Sequence, residues 1–442
     1  MRRLYNILFT FFLCLSAPYY LWKMWRRGNW VADFGQRFGR YNSRVKQSVT
    51  NRQIIWLHAV SVGEVNICTQ LIRTLEQRVP SVTLAVSTTT STGMGELQRK
   101  LPSHILKIYY PIDRYRWVQR AYAILQPQAI VLVEAEIWPN FLWRAKQQKV
   151  PVFLVNARLS DRSFRGYKRF RSLFRPLFKS FAGVGCQNAA DAQKLVELGC
   201  PPDAVRVVGN LKYDAAELNE RRVVDVPRLL ERLGVPSDAR LLVAGSTHRG
   251  EEGILAEIFG RLRTRFPNLF LVIVPRHHER GRRAGRDIAA KGVKFVYRTE
   301  VTADRKFQPG EVECLLVNTT GELKCFYEHA SVVFVGKSLT AAGGQNPIEP
   351  AMMAKPIVFG PNMQNFQAIT QALVSRKGAR QVADAAELEK ALAEMLADEN
   401  LAAEIGQNAR LVVQENLGSI ERTVDMIIEK LDSKEIYVVP GK

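Results

Sequence analysis

Apolar runs alternate with amphipathic stretches along most of the chain. Residues 53–60 form an apolar run with β-branched side chains. This run is followed by a turn that contains Ser and Gly and then by a helix-like stretch at 65–78. This order of strand, loop and helix recurs. Further strands are predicted at 82–87, 129–134, 150–156 and 183–187. Strands alternating with helices predict a parallel sheet with helices on both faces, and such sheets bind ligands at the carboxyl ends of their strands.

A second series of the same kind follows the polar stretch 214–238. Its predicted helix covers 251–266, and its strands are predicted at 240–244, 269–274, 313–317 and 332–335. We therefore expect an α/β protein with two Rossmann-like, doubly wound domains that face a cleft.

The first residues carry a different pattern. Residues 4–22 are almost wholly apolar, with Pro18 among them, and basic residues flank them: Arg2, Arg3, Lys23, Arg26 and Arg27. No small-residue cleavage site follows, so an N-terminal membrane anchor is favoured over a signal peptide. Aromatic residues near its end suit the headgroup level of a bilayer: Tyr19, Tyr20, Trp22, Trp25 and Trp30. The alternative is a helix packed on the first domain.

These patterns divide the chain into four parts. We expect a membrane anchor at 1–28, an acceptor-binding domain at 29–217, a nucleotide-sugar-binding domain at 218–432 and a tail at 433–442.

Charge and cysteine content narrow the choice of partner. The 442 residues include 63 Lys and Arg against 42 Asp and Glu, a formal net charge of +21, which favours an anionic partner such as nucleic acid, anionic lipid or a sugar nucleotide. The six cysteines have no metal-ligand spacing and are interpreted as reduced packing residues.

Two groups of carboxylates are candidates for chemistry. Glu64 follows the first predicted strand beside Gly63, where it could act as a general base; the alternative is a charge that complements a helix dipole. Glu134 and Glu136 end a predicted buried strand, where carboxylates are costly unless they are paired or functional. One of them is expected to bind substrate, or else to pair with an arginine.

Two further segments suit anionic ligands. The glycine turn at Gly343 and Gly344, ahead of Pro347 at the start of a helix, is typical of a phosphate site but also of an ordinary capped helix. Residues 158–181 interleave basic and aromatic side chains, as on a helix at a membrane surface or over a core. His248, His277 and His278 lack a metal-binding motif, so no metal is expected.

Six ordered segments together closely resemble the family of 3-deoxy-D-manno-octulosonic acid (Kdo) transferases of lipopolysaccharide synthesis. They are 58–64 (HAVSVGE), 134–140 (EAEIWPN), 156–160 (NARLS), 209–214 (GNLKYD), 274–277 (VPRH) and 343–349 (GGQNPIE). The resemblance implies a GT-B fold and transfer of Kdo from CMP-Kdo to lipid A precursor (lipid IVA) at the cytoplasmic face of the inner membrane, without a metal or other cofactor.

The resemblance also implies roles for individual residues. Glu64 would be the general base, and Glu134 and Lys212 would stabilise the transition state. CMP would be bound by three segments: Pro275 and Arg276; Thr320, Gly321 and Glu322; and Asn346, Pro347, Ile348 and Glu349. Two positions depart from the family pattern, since Gln345 replaces a common His and Asn318 a frequent Asp.

Two other functions are compatible with parts of the sequence. One is a different GT-B transferase of envelope synthesis that uses a UDP-sugar. The other is a basic nucleic-acid-binding protein, which only the charge suggests and which explains neither the apolar N-terminus nor the acidic strand ends. We therefore expect no nucleic-acid partner.

Overall fold

The computed structural model describes residues 2–26, 33–134, 136–217, 224–302 and 304–431. The predicted tail at 433–442 and the flanking residues Arg27 and Trp30 lie outside these ranges. The chain forms two compact units, one made of residues 1–215 and 417–442 and the other of residues 216–416.

The first unit alternates helices and strands as the sequence predicts. Its helices are α1 (Arg2–Arg26), α2 (Ser43–Val49), α3 (Val62–Arg78), α4 (Ser91–Lys100), α5 (Tyr115–Leu125), α6 (Pro139–Gln147), α7 (Asp161–Arg169), α8 (Arg171–Phe178), α9 (Ala189–Leu198) and α10 (Lys212–Glu217). Its strands are β1 (Ile54–His58), β2 (Thr83–Thr88), β3 (Leu106–Tyr109), β4 (Pro127–Val133), β5 (Val152–Ala157), β6 (Gly183–Cys186) and β7 (Val205–Val207). Short 3₁₀ helices occur at Phe34–Phe38 and Pro202–Ala204.

These strands form one seven-stranded sheet in the order β3-β2-β1-β4-β5-β6-β7, with parallel pairing throughout. The central strands β1 and β4 are buried almost end to end because helices cover both faces of the sheet. Trp56 of β1 is fully buried on one face, and Leu57 on the other. The strand order reverses between β1 and β4, which makes the carboxyl ends of these two strands the expected ligand site.

The second unit repeats this design. Its elements are α11 (Val226–Arg232), β8 (Arg240–Thr247), α12 (Glu251–Arg265), β9 (Leu269–Pro275), α13 (Gly281–Ala289), β10 (Phe295–Tyr297), β11 (Cys314–Leu316), α14 (Leu323–His329), β12 (Val332–Val335), α15 (Ile348–Met352), β13 (Ile357–Phe359), α16 (Gln367–Ser375), β14 (Arg380–Gln381), α17 (Ala385–Ala397) and α18 (Glu399–Asn416), with 3₁₀ helices at His278–Arg280, Arg298–Glu300 and Gln364–Phe366. Its parallel sheet has the order β10-β11-β9-β8-β12-β13-β14 and reverses between β8 and β12. Two doubly wound units are thus confirmed.

The last helix corrects the predicted boundary of the second domain at residue 432. Helix α19 (Ser419–Ile428) belongs to the first unit, where Ile420, Val424 and Ile427 join the core beneath the sheet. Asp214 accepts hydrogen bonds from the backbone amides of Gly418 and Ile420 at 2.8 and 2.7 Å. Amphipathic spacing predicts that this helix buries one face, but it does not tell which core receives that face.

Glycines in β6 allow α19 to approach the sheet closely. A Cβ atom on Gly183 would lie 2.9 Å from the Phe153 ring and 3.3 Å from Met426 Cγ, and one on Gly185 would lie 3.4 Å from Met426 Cε. A larger residue at Gly183 would first meet the Phe153 ring of β5, and one at Gly185 would first meet Val208, 3.0 Å from the added Cβ.

Helix α1 has features of both alternatives that its sequence leaves open, a membrane anchor and a helix packed on the first domain. It is long and apolar enough, over Arg2–Trp22, to cross a membrane by length and composition. Its first three turns nevertheless contact the first unit, since Tyr5 Oη donates a hydrogen bond of 2.7 Å to Asp113. Phe11 and Leu15 are about two-thirds exposed, at 66% and 68%.

The basic and aromatic segment 158–181 is two short helices, α7 and α8, which meet at Phe170. Its aromatic face packs mainly on the core. Tyr167 lies 4.7 Å from Phe174 and 5.3 Å from the fully buried Phe178, measured between ring centroids, whereas Phe170 is exposed. The core interpretation therefore holds for most of these aromatic residues.

Candidate active site

Glu64 lies at the carboxyl end of β1, beside the point where the first sheet reverses its strand order. It was expected in a glycine turn ahead of the helix, but α3 begins at Val62 and Glu64 therefore lies in its first turn. Ser61 is the N-cap and accepts a hydrogen bond of 3.3 Å from the Glu64 amide. The Glu64 carboxylate accepts one of 2.8 Å from the Val60 amide, and its place in the first turn also fits the alternative of a charge that complements the helix dipole.

The surroundings of Glu64 favour its protonated form more than water does. The pKa of Glu64 is raised from 4.5 to about 6, chiefly by burial; the hydrogen bonds from Val60 and Ser61 lower it, and the nearby carboxylates of Glu134 and Glu136 contribute to the rise. Only 8% of the residue is exposed. Such a carboxylate is still ionised near pH 7 and can accept a proton.

Glu134 and Glu136 follow β4, which is the strand next to β1. Glu134 has a φ of 62°, a left-handed conformation that is uncommon and costly for a residue with a side chain. Its Oε1 lies 3.6 Å from Lys212 Nζ. Glu136 instead accepts a hydrogen bond of 2.7 Å from Trp138 Nε1, and burial raises its pKa. The structure thus brings Glu134 and Lys212 together, as two of the three proposed catalytic residues.

A chain of side-chain amides continues this site along the sheet edge. Asn156, at φ 53°, accepts a hydrogen bond of 3.1 Å from the Leu211 amide, and its Nδ2 lies 3.5 Å from Glu134 Oε1. Gln187 donates to the Asn156 carbonyl at 3.1 Å and accepts from Asn210 at 3.2 Å. These contacts fix the turn that carries Lys212.

In the second unit, the loops at the corresponding reversal point are tied together by one carboxylate. Glu251, in the first turn of α12, is fully buried and accepts hydrogen bonds from four backbone amides, His248, Lys337, Ser338 and Leu339, at 2.7–3.0 Å. The first amide follows β8 and the other three follow β12. Glu251 therefore holds together the two loops that flank the reversal point.

The three segments expected to bind CMP lie at strand ends of this sheet. Pro275 ends β9 and is buried, whereas Arg276 is exposed and its amide donates to the Thr247 carbonyl at 3.0 Å. Thr320 and Gly321 are exposed in the turn after β11. The Glu322 carboxylate, however, lies 3.0 Å from Arg298 Nε, in a part-buried ion pair.

The Asn346–Glu349 segment differs in detail from its prediction. Pro347 is not in the first turn of a helix but precedes α15, which begins at Ile348 and has 5 residues. Asn346 accepts a hydrogen bond of 3.1 Å from the Ile348 amide, and its Nδ2 lies 3.3 Å from Glu349 Oε1. Gly343 and Gly344 both have positive φ, and a Cβ on Gly344 would lie 2.4 Å from Met363 Sδ.

Sequence reasoning missed the fixed residues behind these sites. Glu251 and Glu252 stand at the start of a helix, where acidic residues are common, so only their complete burial in the structure identifies them as special. Gln187 and Asn210 carry a faint signal, because each follows a strand of the same sheet. Across residues 2–26, 33–134, 136–217, 224–302 and 304–431, no group of three or more His, Cys, Asp or Glu side chains could hold a metal ion.

Comparisons with known proteins agree with this architecture. Residues 32–215 match the family model of 3-deoxy-D-manno-octulosonic-acid transferase (kdotransferase). The chain is similar to the 3-deoxy-D-manno-octulosonic acid transferase of Haemophilus influenzae, with 29% identity over 89% of this chain and 90% of that protein. It is equally similar to the transferase of the same name from Bordetella pertussis, with 29% identity over 93% of this chain and 96% of that protein.

Among solved structures, a UDP-GlcNAc 2-epimerase from Neisseria meningitidis superimposes with a TM-score of 0.57, over 86% of this chain and 100% of that one, at 11% identity. This likeness concerns the fold alone, and the two doubly wound units are those of the GT-B class. The family model matches residues 32–215 and the two relatives match most of the chain, so this protein is similar to Kdo transferases over nearly its whole length.

Proposed function

We propose that this protein transfers Kdo from CMP-Kdo to the lipid A precursor lipid IVA, by an inverting and metal-independent reaction in which Glu64 is the general base. The observation that carries the proposal is the environment of Glu64: a buried carboxylate whose pKa is raised to about 6, at the reversal point of the first sheet. A base with a pKa slightly below the working pH combines a high ionised fraction with useful basicity.

The reaction needs little more than deprotonation and charge stabilisation. Glu64 removes the proton of the acceptor hydroxyl, the hydroxyl oxygen bonds to the anomeric carbon of Kdo, and the bond to the phosphate of CMP breaks. A single displacement of this kind inverts the anomeric configuration. The Glu134 carboxylate stabilises the positive charge of the oxocarbenium-like transition state, and Lys212, held 3.6 Å from Glu134, stabilises the negative charge that develops on the departing phosphate.

The donor nucleotide is bound by the segments at strand ends of the second unit. Arg276 presents an exposed guanidinium to the phosphate. Asn346, Pro347, Ile348 and Glu349 together with the turn Thr320–Glu322 hold the rest of CMP. Since the Glu322 carboxylate is occupied by Arg298, this turn contributes chiefly backbone groups and small side chains. Thr319 Oγ1 beside it is buried without a hydrogen-bond partner, which fits a ligand at this turn.

The protein acts at the cytoplasmic face of the inner membrane, where its acceptor lipid lies. Helix α1 and the net charge of +21 support binding to an anionic membrane surface.

The test is mass analysis of the products formed from lipid IVA and CMP-Kdo. Wild-type protein adds Kdo, while Glu64→Ala does not. Glu76→Gln is a matched control because Glu76 lies in the last turns of the same helix α3 and contacts only the exposed His104. Full activity of Glu64→Ala would disprove the assigned base.

Donor choice separates this proposal from a UDP-sugar transferase. CMP should raise the melting temperature of the protein in proportion to its binding, and UDP should not. Protection by UDP alone would exclude CMP-Kdo as the donor.

A further inference from the structure

Helix α1 contacts the first unit along one face only. Its half-buried residues Arg2, Tyr5, Asn6, Phe9 and Leu13 recur every three or four positions, as on one side of a helix.

Tyr5 binds Asp113, and Asn6 exchanges hydrogen bonds of 3.0 and 3.2 Å with the side-chain amide of Asn140. The Phe9 ring lies 6.4 Å from Trp138 and the Tyr5 ring 5.7 Å from Trp143, both edge to face.

These contacts are incompatible with a helix that crosses the bilayer. The chain re-enters the first unit at Asp33, and Arg37 donates a hydrogen bond of 2.6 Å to the Thr89 carbonyl, so the segment between Phe9 and Asp33 begins and ends on one body. A spanning helix would place one end beyond about 30 Å of hydrocarbon. The few residues from Arg26 to Asp33 reach at most about 25 Å and could not return through it.

The opposite face of the helix is apolar and exposed. It carries Leu4, Ile7, Phe11, Leu15 and Trp22, each more than half exposed. Cys14, the exposed cysteine of the described residues, lies on the same face by its helical position. Over residues 4–15 the exposed apolar residues keep to one side of the helix, which is the pattern of a helix that lies in a membrane interface, while Tyr19, Tyr20 and Leu21 are also exposed near its end.

Basic groups line the docked end of the helix. Arg2, Lys146, Trp143 and Ser172 are among the residues that line a groove between α1, α6 and α8, and Arg175 of α8 is exposed nearby in the chain. The exposed Lys146 and Arg175 can meet the phosphates of anionic lipids when the apolar face enters the headgroup layer.

From these observations we infer that α1 does not span the membrane but lies along an anionic bilayer surface, with its Leu4–Trp22 face in the lipid and its Tyr5–Phe9 face on the protein. The inference rests on the membrane association proposed above and adds its geometry. The docked turns contact Trp138, which in turn donates a hydrogen bond to Glu136. The membrane-binding helix therefore adjoins the loop that carries Glu134 and Glu136, the candidate acceptor-site carboxylates.

The experiment measures the depth of spin labels along α1, in full-length protein bound to liposomes of phosphatidylethanolamine and phosphatidylglycerol. One label goes on native Cys14, because the other five cysteines are buried. Further single labels replace Leu4, Phe11 and Leu15, with Ser16 as the matched position on the protein face, in a Cys14→Ser background. The depth of each label is calculated from the ratio of its relaxation enhancement by oxygen to that by a water-soluble nickel complex.

We expect the labels at 4, 11, 14 and 15 to lie at one shallow depth, about 5–10 Å below the headgroups, and the label at 16 to stay accessible to nickel. A depth that reaches the bilayer centre, about 15 Å, near residues 11–12 and does not depend on helix face would overturn the inference. If the labels show dipolar coupling to one another and no contact with lipid, the apolar face binds a second copy of the chain, and this result would also overturn the inference.

A disulfide test checks the docked face independently. Asn6→Cys with Asn140→Cys should cross-link on liposomes, whereas Ile7→Cys with Asn140→Cys, one position round the helix, should not; equal yields contradict the docking. If the protein fails to float with liposomes, the proposed membrane association itself is wrong. If it floats but the labels report a span, only the present inference is wrong.

Discussion

The two units place a glutamate at the same topological position and use it in opposite ways. Glu64 follows the central strand β1, Glu251 follows the central strand β8, and each lies in the first turn of the next helix. Glu251 is saturated by four backbone amides, whereas one oxygen of Glu64 accepts a single amide at 2.8 Å. The number of fixed donors thus separates a structural carboxylate from one that is available for chemistry.

Burial alone would not distinguish them, since Glu64 is only 8% exposed and Glu251 fully buried. What differs is the neighbourhood. Glu64 faces two other carboxylates, Glu134 and Glu136, which disfavour its charge, while Glu251 lies among amide dipoles that satisfy it. Substitutions at Glu64, Glu251 and Ser61 each change the surroundings or the charge of one of these two carboxylates.

The largest effect is expected from Glu64→Gln. Removing a general base typically lowers kcat by about 100- to 10,000-fold, while the amide side chain keeps the size of the glutamate and the melting temperature should change little. Steady-state kinetics and thermal unfolding measure both. A matching fall in kcat for the control Glu76→Gln would attribute the loss to α3 as a whole.

Glu251→Ala should act on stability. It leaves four backbone amides without their acceptor, and each buried, unsatisfied group costs about 1–3 kcal/mol, so the unfolding free energy of the second unit should fall by at least about 4 kcal/mol. Urea unfolding gives the value. Glu257→Ala, in the same helix but exposed, serves as the control. A stability loss no larger than that of the control would remove Glu251 from its assigned role.

The pH dependence of kcat/KM should report the Glu64 carboxylate. Its raised pKa of about 6 means that the base is ionised above this pH and protonated below it, so kcat/KM should fall about tenfold per unit as the pH drops below 6. The residual activity of Glu64→Gln should lack this acid limb. An unchanged limb in that variant would assign it to another group.

The smallest effect is expected from Ser61→Ala. Loss of the N-cap should cost about 0.5–2 kcal/mol of stability. Because the Ser61 contact lowers the pKa of Glu64, its removal should also move the acid limb to higher pH. Ser61→Thr, which keeps the hydroxyl, should restore both the stability and the original limb.

The sequence predicted the elements that decide this contrast. Continuous apolar runs revealed the buried parallel strands, with β12 (Val332–Val335) predicted at its observed bounds, and the polar residues after them marked the sheet edges. Glu64 and Glu134 were identified as candidates because a carboxylate at the end of a buried strand is costly unless it is paired or functional. The short strands β3, β7, β10, β13 and β14, at two to four residues each, were not predicted, because runs this short give only a weak pattern, which was recognised for the similarly short β6, β11 and β12 but not for these.

The hydrogen bonds to Glu251 could not be predicted in the same way. Three of the four come from residues 337–339, more than 80 positions away, and depend on the register of two loops that no local pattern encodes. Likewise, the ion pair between Arg298 and Glu322 joins residues 24 positions apart, and no local pattern encodes it.

The return of α19 to the first unit has a consequence for biosynthesis. On the ribosome, residues 1–215 emerge first, but the part of their sheet that Ile420, Val424 and Ile427 cover stays exposed until about two hundred further residues have been made. The later unit, 216–416, is complete before the earlier one. The usual order, in which the N-terminal domain finishes folding first, is therefore reversed in this chain.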